Sequence, residues 1–211
     1  MLVKARHRRA PRGMTLIELT IGLAMFALLL LAVAPSLSQW MRDTRLQAGA
    51  QALMGDLQFA RAEAVRRNGL ARLQLVSSRD MNCALTNSGP EWVVNLTAST
   101  SPAGACGSAP GGTVSPYLLR VSPLLSSSTT NTLTATRQVV AFNGLGRQTA
   151  TTNPTSSVAT LTIDVQDATS RCRPSGATRC LRVVVSPAGD IHMCDPAHAT
   201  GNTANDAMSC P

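Results

Sequence analysis

The sequence predicts an α+β protein, with one long N-terminal helix and a β-rich remainder. Three observations carry that reading. A charge-free, mostly apolar stretch runs from Leu19 to Met41. It passes directly into a segment whose apolar residues recur at helical spacing. Beyond Gly69 that spacing gives way to short β-type runs separated by Ser, Thr, Gly and Pro clusters. Of the 211 residues 44% are apolar and 14% charged, which does not describe a disordered chain. With 3% aromatic residues, no aromatic platform for stacking single-stranded nucleic acid is expected.

The chain opens on a basic leader. Residues 1–13 hold Lys4, Arg6, Arg8, Arg9 and Arg12 without an acid, giving +5 of the formal net charge of +8. Everything from Met14 onward adds only +3. The pI of about 10.1 therefore reports largely on the leader and is weak support for nucleic-acid binding. The 23 residues from Leu19 to Met41 are enough for one bilayer crossing at roughly 20 residues per span. The basic residues ahead of them place 1–13 on the cytoplasmic side. Glu18 stands at the start of the apolar run, where a carboxylate is costly and calls for a partner.

Three readings compete for this N-terminus. A secretory signal peptide fits the basic and apolar regions and the Ala32-Val33-Ala34 triplet. Against it, Pro35 would follow the cut, and the apolar run continues into a helical pattern. A plain membrane anchor explains the length but not Glu18. The third reading uses the whole of Arg12-Gly13-Met14-Thr15-Leu16-Ile17-Glu18, which resembles the prepilin signature of type IV pilins and type II secretion pseudopilins. That resemblance implies a type IV pilin-like fold and cleavage between Gly13 and Met14 by a membrane aspartic prepilin peptidase. It also implies N-methylation of Met14 and a Glu18 carboxylate paired with the N-terminal amine of a neighbouring subunit. A buried carboxylate beside an ammonium is tolerable, whereas an unpaired one costs on the order of several kcal/mol. Met14 departs from the family's usual Phe, and Pro35 falls where these proteins often carry a helix-loosening proline.

After Trp40 the composition turns amphipathic. Leu46, Ala50, Leu53, Leu57, Ala60 and Ala64 step by threes and fours along one helix face. Asn68-Gly69 reads as a helix stop, with Gly69 accepting a left-handed cap. Residues 14–68 then form one helix of about 80 Å. Its end, Leu57-Gln58-Phe59-Ala60-Arg61-Ala62-Glu63-Ala64-Val65-Arg66-Arg67, is similar to that of the GspH/FimT family, the H-type pseudopilins and FimT-type minor pilins. Taken singly, Arg61, Glu63, Arg66 and Arg67 read as a charged face, with Glu63 and Arg67 an i,i+4 pair.

The β-type runs are Leu70–Val76, Glu91–Leu96, Tyr117–Ser122, Thr132–Phe142, Val158–Val165 and Cys180–Ser186. The stretches 97–116, 123–131 and 149–157 read as loops. Val139 to Phe142 followed by Asn143-Gly144-Leu145-Gly146-Arg147 resembles the family's strand and turn ending in Gly-Arg. Leu181 to Gly189, followed by Cys194-Asp195-Pro196, resembles its last strands. All six cysteines, Cys83, Cys106, Cys172, Cys180, Cys194 and Cys210, follow the helix, as a disulfide set on the exported side would. Fifteen full pairings exist, and proximity along the chain favours Cys172–Cys180, then Cys83–Cys106 and Cys194–Cys210. His192 and Cys194 alone do not make a metal site.

No nucleophile elbow, phosphate loop, zinc-protease motif or carboxylate pair occurs, so neither an enzyme nor a cofactor is expected. His192 and His198 read as surface residues. The expected organisation is a leader over 1–13, a membrane or filament-core helix half over 14–41, an amphipathic half over 42–68 and a β-rich periplasmic domain over 69–211. The resemblance implies a single-pass inner-membrane subunit that assembles into a type IV pilus or a type II secretion pseudopilus. Its partners would be other minor and major pilins, the prepilin peptidase and the inner-membrane assembly platform. DNA is an alternative partner, because some FimT-type members bind it through a Gly-Arg-x-Arg pattern in the final hairpin. Here that stretch reads Gly189-Asp190-Ile191-His192, without either arginine. Arg171, Arg173, Arg179 and Arg182, clustered within twelve residues, are the candidates for phosphate contact.

Overall fold

The computed structural model describes residues 13–96, 100–123, 131–198 and 208–210. The leader expected over 1–13 lies outside them except for Gly13, as do residues 97–99 and 124–130 of the expected loops. One helix, α1 (Leu16–Arg67), fills almost all of the expected 14–68. Thr15 caps its start: the hydroxyl accepts the Glu18 N–H at 3.3 Å and the carbonyl accepts the Leu19 N–H at 3.1 Å. Pro35 sits inside the helix, where it cannot donate to the preceding turn. Nearby, the Ser36 and Ser38 hydroxyls donate to the carbonyls of Val33 and Pro35, both at 2.8 Å. At the far end the left-handed residue is Asn68 (φ 45°) rather than Gly69, a correction to the expected cap. The Asn68 and Gly69 amides donate to the carbonyls of Val65 and Ala64, at 3.1 and 3.0 Å. Those two bonds form a Schellman closure, in which Asn replaces the usual Gly.

The chain divides into two compact units at Trp40/Met41. In the first, large apolar side chains such as Leu16, Phe26 and Leu31 are exposed. In the second, Leu46, Ala50, Leu53, Leu57, Ala60 and Ala64 are all fully buried, so the apolar stripe is the buried face of this part of the helix.

The described residues of the second unit form twelve short strands. They are β1 (Ala71–Val76), β2 (Ser88–Gly89), β3 (Glu91–Asn95), β4 (Leu118–Val121), β5 (Asn131–Ala135) and β6 (Val139–Phe142). The remainder are β7 (Gln148–Thr149), β8 (Thr151–Thr152), β9 (Thr155–Ser156), β10 (Leu161–Asp167), β11 (Leu181–Val185) and β12 (Ile191–Cys194). Two five-stranded sheets result, ordered β4-β3-β1-β6-β7 and β12-β11-β10-β5-β2, with a small β8-β9 hairpin apart. Every strand pairing is antiparallel. Leu73, Leu75, Phe142, Ile163, Val165 and Val183, drawn from both sheets, share one core with the helix stripe.

The run Thr132–Phe142 requires correction: it is two strands in different sheets, not one. Thr136 still donates to Thr162 in the second sheet, at 3.1 Å. Two residues later the Gln138 carbonyl accepts from Leu75 in the first, at 2.9 Å. Between them Arg137 donates to the carbonyls of Ser157 and Ala159. The expected strand over Val158–Val165 is displaced toward the C-terminus, because pairing with β5 continues to Asp167 opposite Asn131. The expected loop over 149–157 contains β8 and β9.

Both faces of β1 are covered. Its outward residues Arg72 and Gln74 are buried beneath the long loops. The Arg72 guanidinium donates to the Asn95 side chain at 3.0 Å, to the Asn153 carbonyl at 2.6 Å and to the Thr100 carbonyl. Burial lowers its pKa to about 10, so it stays charged at neutral pH.

The three stretches that resemble the family meet at one joint. Arg61 of α1 donates to the Gly146 carbonyl at 2.9 Å. The side-chain amide of Gln148 donates to the carbonyls of Val185 and Ser186, at 3.0 and 2.9 Å. Gly189 (φ +93°) presses on this turn so closely that a Cβ there would stand 2.0 Å from the Gly146 carbonyl oxygen. Gly189→Ala therefore combines backbone strain with a backbone clash, and we expect a loss of about 3 kcal/mol or more. Gly55→Ala, on the helix where a Cβ meets open space, should instead gain about 0.5–1 kcal/mol. Thermal unfolding of the two full-length variants checks both, and equal shifts would contradict the joint.

Candidate functional site

The prepilin-type segment lies at the start of α1. A Cβ at Gly13 would meet nothing within 4 Å, so folding places no demand on glycine there. Met14 is exposed, and so is Glu18 in the first helical turn. That position suits a carboxylate, because the unpaired N–H groups of a helix start favour negative charge. Among the described residues none partners the Glu18 carboxylate. Among the described residues, an acid and a run of apolar side chains are thus left exposed.

The helix end is built differently. Sequence reasoning predicts Glu63 pairing with Arg67; the structure adds Arg66. Arg66 donates twice to Glu63, at 2.8 and 2.5 Å, and Arg67 donates once, at 2.5 Å. The hydrogen bond from Arg66 is the chief cause of a Glu63 pKa lowered from 4.5 to about 2. Desolvation pushes the other way, and Arg67 adds to the lowering. A second carboxylate, Asp56, escapes sequence reasoning. It is buried, accepts the Trp92 indole N–H at 2.8 Å and pairs with Arg120 at 2.9 Å. Arg120 also stacks over Phe59, 4.0 Å from the ring centre, so one acid ties α1 to β3 and β4. Only the i,i+3 spacing of Asp56 and Phe59 hints at this in the sequence.

The six cysteines form Cys83–Cys106, Cys172–Cys180 and Cys194–Cys210. Cys83 and Cys106 sit in a small buried cluster with Val76, Val93 and Leu118, while Cys194 and Cys210 pack against Val184. With Cys194 bonded to Cys210, His192 has no thiolate beside it.

The four candidate arginines differ in their partners. Arg182 makes a two-point ion pair with Asp164, at 2.6 and 2.9 Å. Arg179 pairs with Asp195 at 2.9 Å, and His198 lies 3.9 Å from the same carboxylate. Arg171 and Arg173 are exposed, and among the described residues no acid pairs with either.

Because the Glu63 pKa is lowered on folding, its contribution to stability is complete above about pH 4.5 and is lost as pH falls toward 2. The stability difference between wild type and Glu63→Gln should accordingly narrow over that interval. Denaturant unfolding of both proteins from pH 6 to pH 2 measures it, and a constant difference would contradict the ion-pair cluster.

Comparison with known proteins converges on these segments. Residues 8–34 match the prokaryotic N-terminal methylation motif. Residues 49–189, which take in the buried helix stripe from Ala50 onward, strands β1 to β11 and the Gly189 turn, match the family described as type II transport protein GspH. Two crystal structures of the type IV minor pilin FimU of Pseudomonas aeruginosa resemble the chain. One, in space group P21, is 19% identical, with a TM-score of 0.47, covering 71% of this chain and 88% of its own. The other, in space group P65, is 18% identical, with a TM-score of 0.41, covering 70% and 90%. No curated protein matches. With about two thirds of its length inside that one profile, the chain belongs to the GspH family of pilin-like proteins.

Proposed function

We propose that this protein is a structural subunit of a type IV pilus or type II secretion pseudopilus, cut between Gly13 and Met14, methylated at Met14, and assembled through the first half of α1. Pilin-like proteins of this family are not enzymes. The observation that carries the proposal is the coincidence of the methylation motif over 8–34 with a helix start whose one carboxylate has no partner among the described residues. Glu18 is exposed and unpartnered among the described residues, Gly13 has no folding role, and the helix is long and apolar enough to cross a membrane. In this proposal the leader stays cytoplasmic, α1 anchors the subunit in the inner membrane and the sheets lie in the periplasm. Assembly moves the apolar half from lipid into a bundle of like helices. There Glu18 meets the methylated amine of an adjacent subunit, which offsets the cost of burying either charge. The partners are other minor and major pilins, the prepilin peptidase and the assembly platform. The DNA alternative is left with Arg171 and Arg173, since Arg179 and Arg182 already hold carboxylates.

Glu18→Ala should cut incorporation into filaments at least about tenfold, taking the loss of a buried charge partner as several kcal/mol. Thermal unfolding of the sheet unit should be unchanged. Quantitative immunoblotting of sheared filaments against membrane-held subunit reads the first, and undiminished incorporation would overturn the proposal.

A further inference from the structure

We propose that the basic loop closed by Cys172–Cys180 rests on the headgroups of an anionic phospholipid bilayer, the bilayer in which the apolar half of α1 is held. This rests on the membrane-anchored reading of the helix. The first support is placement. The Arg179 N–H donates to the Asp43 carboxylate at 3.2 Å. Asp43 stands two residues after Met41, the last residue of the apolar run and the first of the second unit. Gly49 packs near Val165 of β10, where a Cβ would stand 3.9 Å from that side chain. Strand β10 therefore hands the chain to this loop where the helix enters the sheet unit. The Arg61–Gly146 joint lies about 27 Å further along α1. The loop is thus tied to the helix two residues after Met41, where the apolar run ends and a headgroup layer would begin. Trp40 has the amphipathic ring suited to that level.

The second support is charge held in a rigid frame. Asp167 accepts both the N–H and the hydroxyl of Thr169, at 2.7 and 2.6 Å, which sets the chain just ahead of Arg171. Within the loop Arg173 N donates to Thr178 O at 3.0 Å, and the Arg173 Nε donates to Ala177 O at 3.0 Å. Gly176 approaches the Arg171 carbonyl so closely that a Cβ would stand 2.1 Å from its oxygen. A preset loop loses little entropy on docking. Asp195 and Asp43 are occupied by Arg179, through its guanidinium and its backbone N–H respectively. Arg171 and Arg173 are left outward without an acid among the described residues, and Arg45 is exposed one turn into the unit. Phosphate oxygens of an anionic headgroup layer fit such guanidinium groups, and the anchor keeps that layer at high effective concentration.

The test places p-benzoylphenylalanine at Ser175 of the full chain, reconstituted in phosphatidylcholine vesicles with or without one-third phosphatidylglycerol. Irradiation should give a phospholipid adduct that is at least about fivefold stronger with phosphatidylglycerol. Combined Arg171→Glu and Arg173→Glu should reduce it at least about tenfold, as each basic residue at an anionic surface is worth about fivefold. Arg171→Lys with Arg173→Lys should keep the adduct, and an unchanged unfolding temperature shows that the reversed variant is folded. Equal adduct in both vesicle types, or an adduct indifferent to charge reversal, overturns the proposal. Displacement of the adduct by a short DNA duplex overturns it in favour of a polynucleotide ligand. A chain stripped from the vesicles by alkaline carbonate overturns the anchoring reading along with it, whereas a retained chain without adduct overturns the loop alone.

Discussion

One helix has to satisfy two solvents, and the rest of the structure follows from where it changes between them. Up to Trp40 the apolar residues surround the axis, and the large ones are exposed among the described residues. From Met41 they narrow to a single stripe, Leu46 to Ala64, which is fully buried. The stripe combines three leucines with three alanines. All six belong to one buried cluster with residues of both sheets. Two sheets can share one helix face only if the chain moves between them, and Thr136-Arg137-Gln138 makes such a crossing.

A chain with so few aromatic residues has little bulk for covering the outer sheet faces. It uses long polar loops and covalent staples in their place. Cys83–Cys106 and Cys194–Cys210 each lie in a small apolar cluster on a face turned away from the main core. A disulfide closing loops of these lengths contributes on the order of 3 kcal/mol by restricting the unfolded chain. Arg72 holds other loop segments down through its bonds to Thr100 and Asn153. The segments around Thr100 and Asn153, which read as loops in the sequence, are therefore cover for the first sheet.

How much of this the sequence discloses depends on how local the deciding interaction is. The helix and its buried stripe are legible because periodicity records them directly, and α1 ends within a residue of its expected stop. Its cap is misread by one position because Asn, like Gly, tolerates a left-handed backbone. Thr132–Phe142 reads as one strand because its break comes from hydrogen bonds to Thr162 and Leu75, both distant in sequence. The two-residue strands β2, β7, β8 and β9 are too short to carry a pattern. For the candidate site, the processing segment is legible as a motif, since a peptidase and a neighbouring subunit read it locally. The arginine cluster is not. Asp164, Asp195 and Asp43 lie 18, 16 and 136 positions from the arginines they hold, and only the fold shows which arginine each one occupies.

The central claim is that the N-terminus is a processed assembly end rather than a secretory signal or a plain anchor. Intact-mass and N-terminal fragment spectrometry of the protein taken from its native membrane tests that most directly. The account predicts a chain beginning at an N-methylated Met14 and continuing Thr-Leu-Ile-Glu, with all six cysteines oxidised. A chain beginning at Pro35, or one that keeps its leader in cells with an active prepilin peptidase, would contradict it.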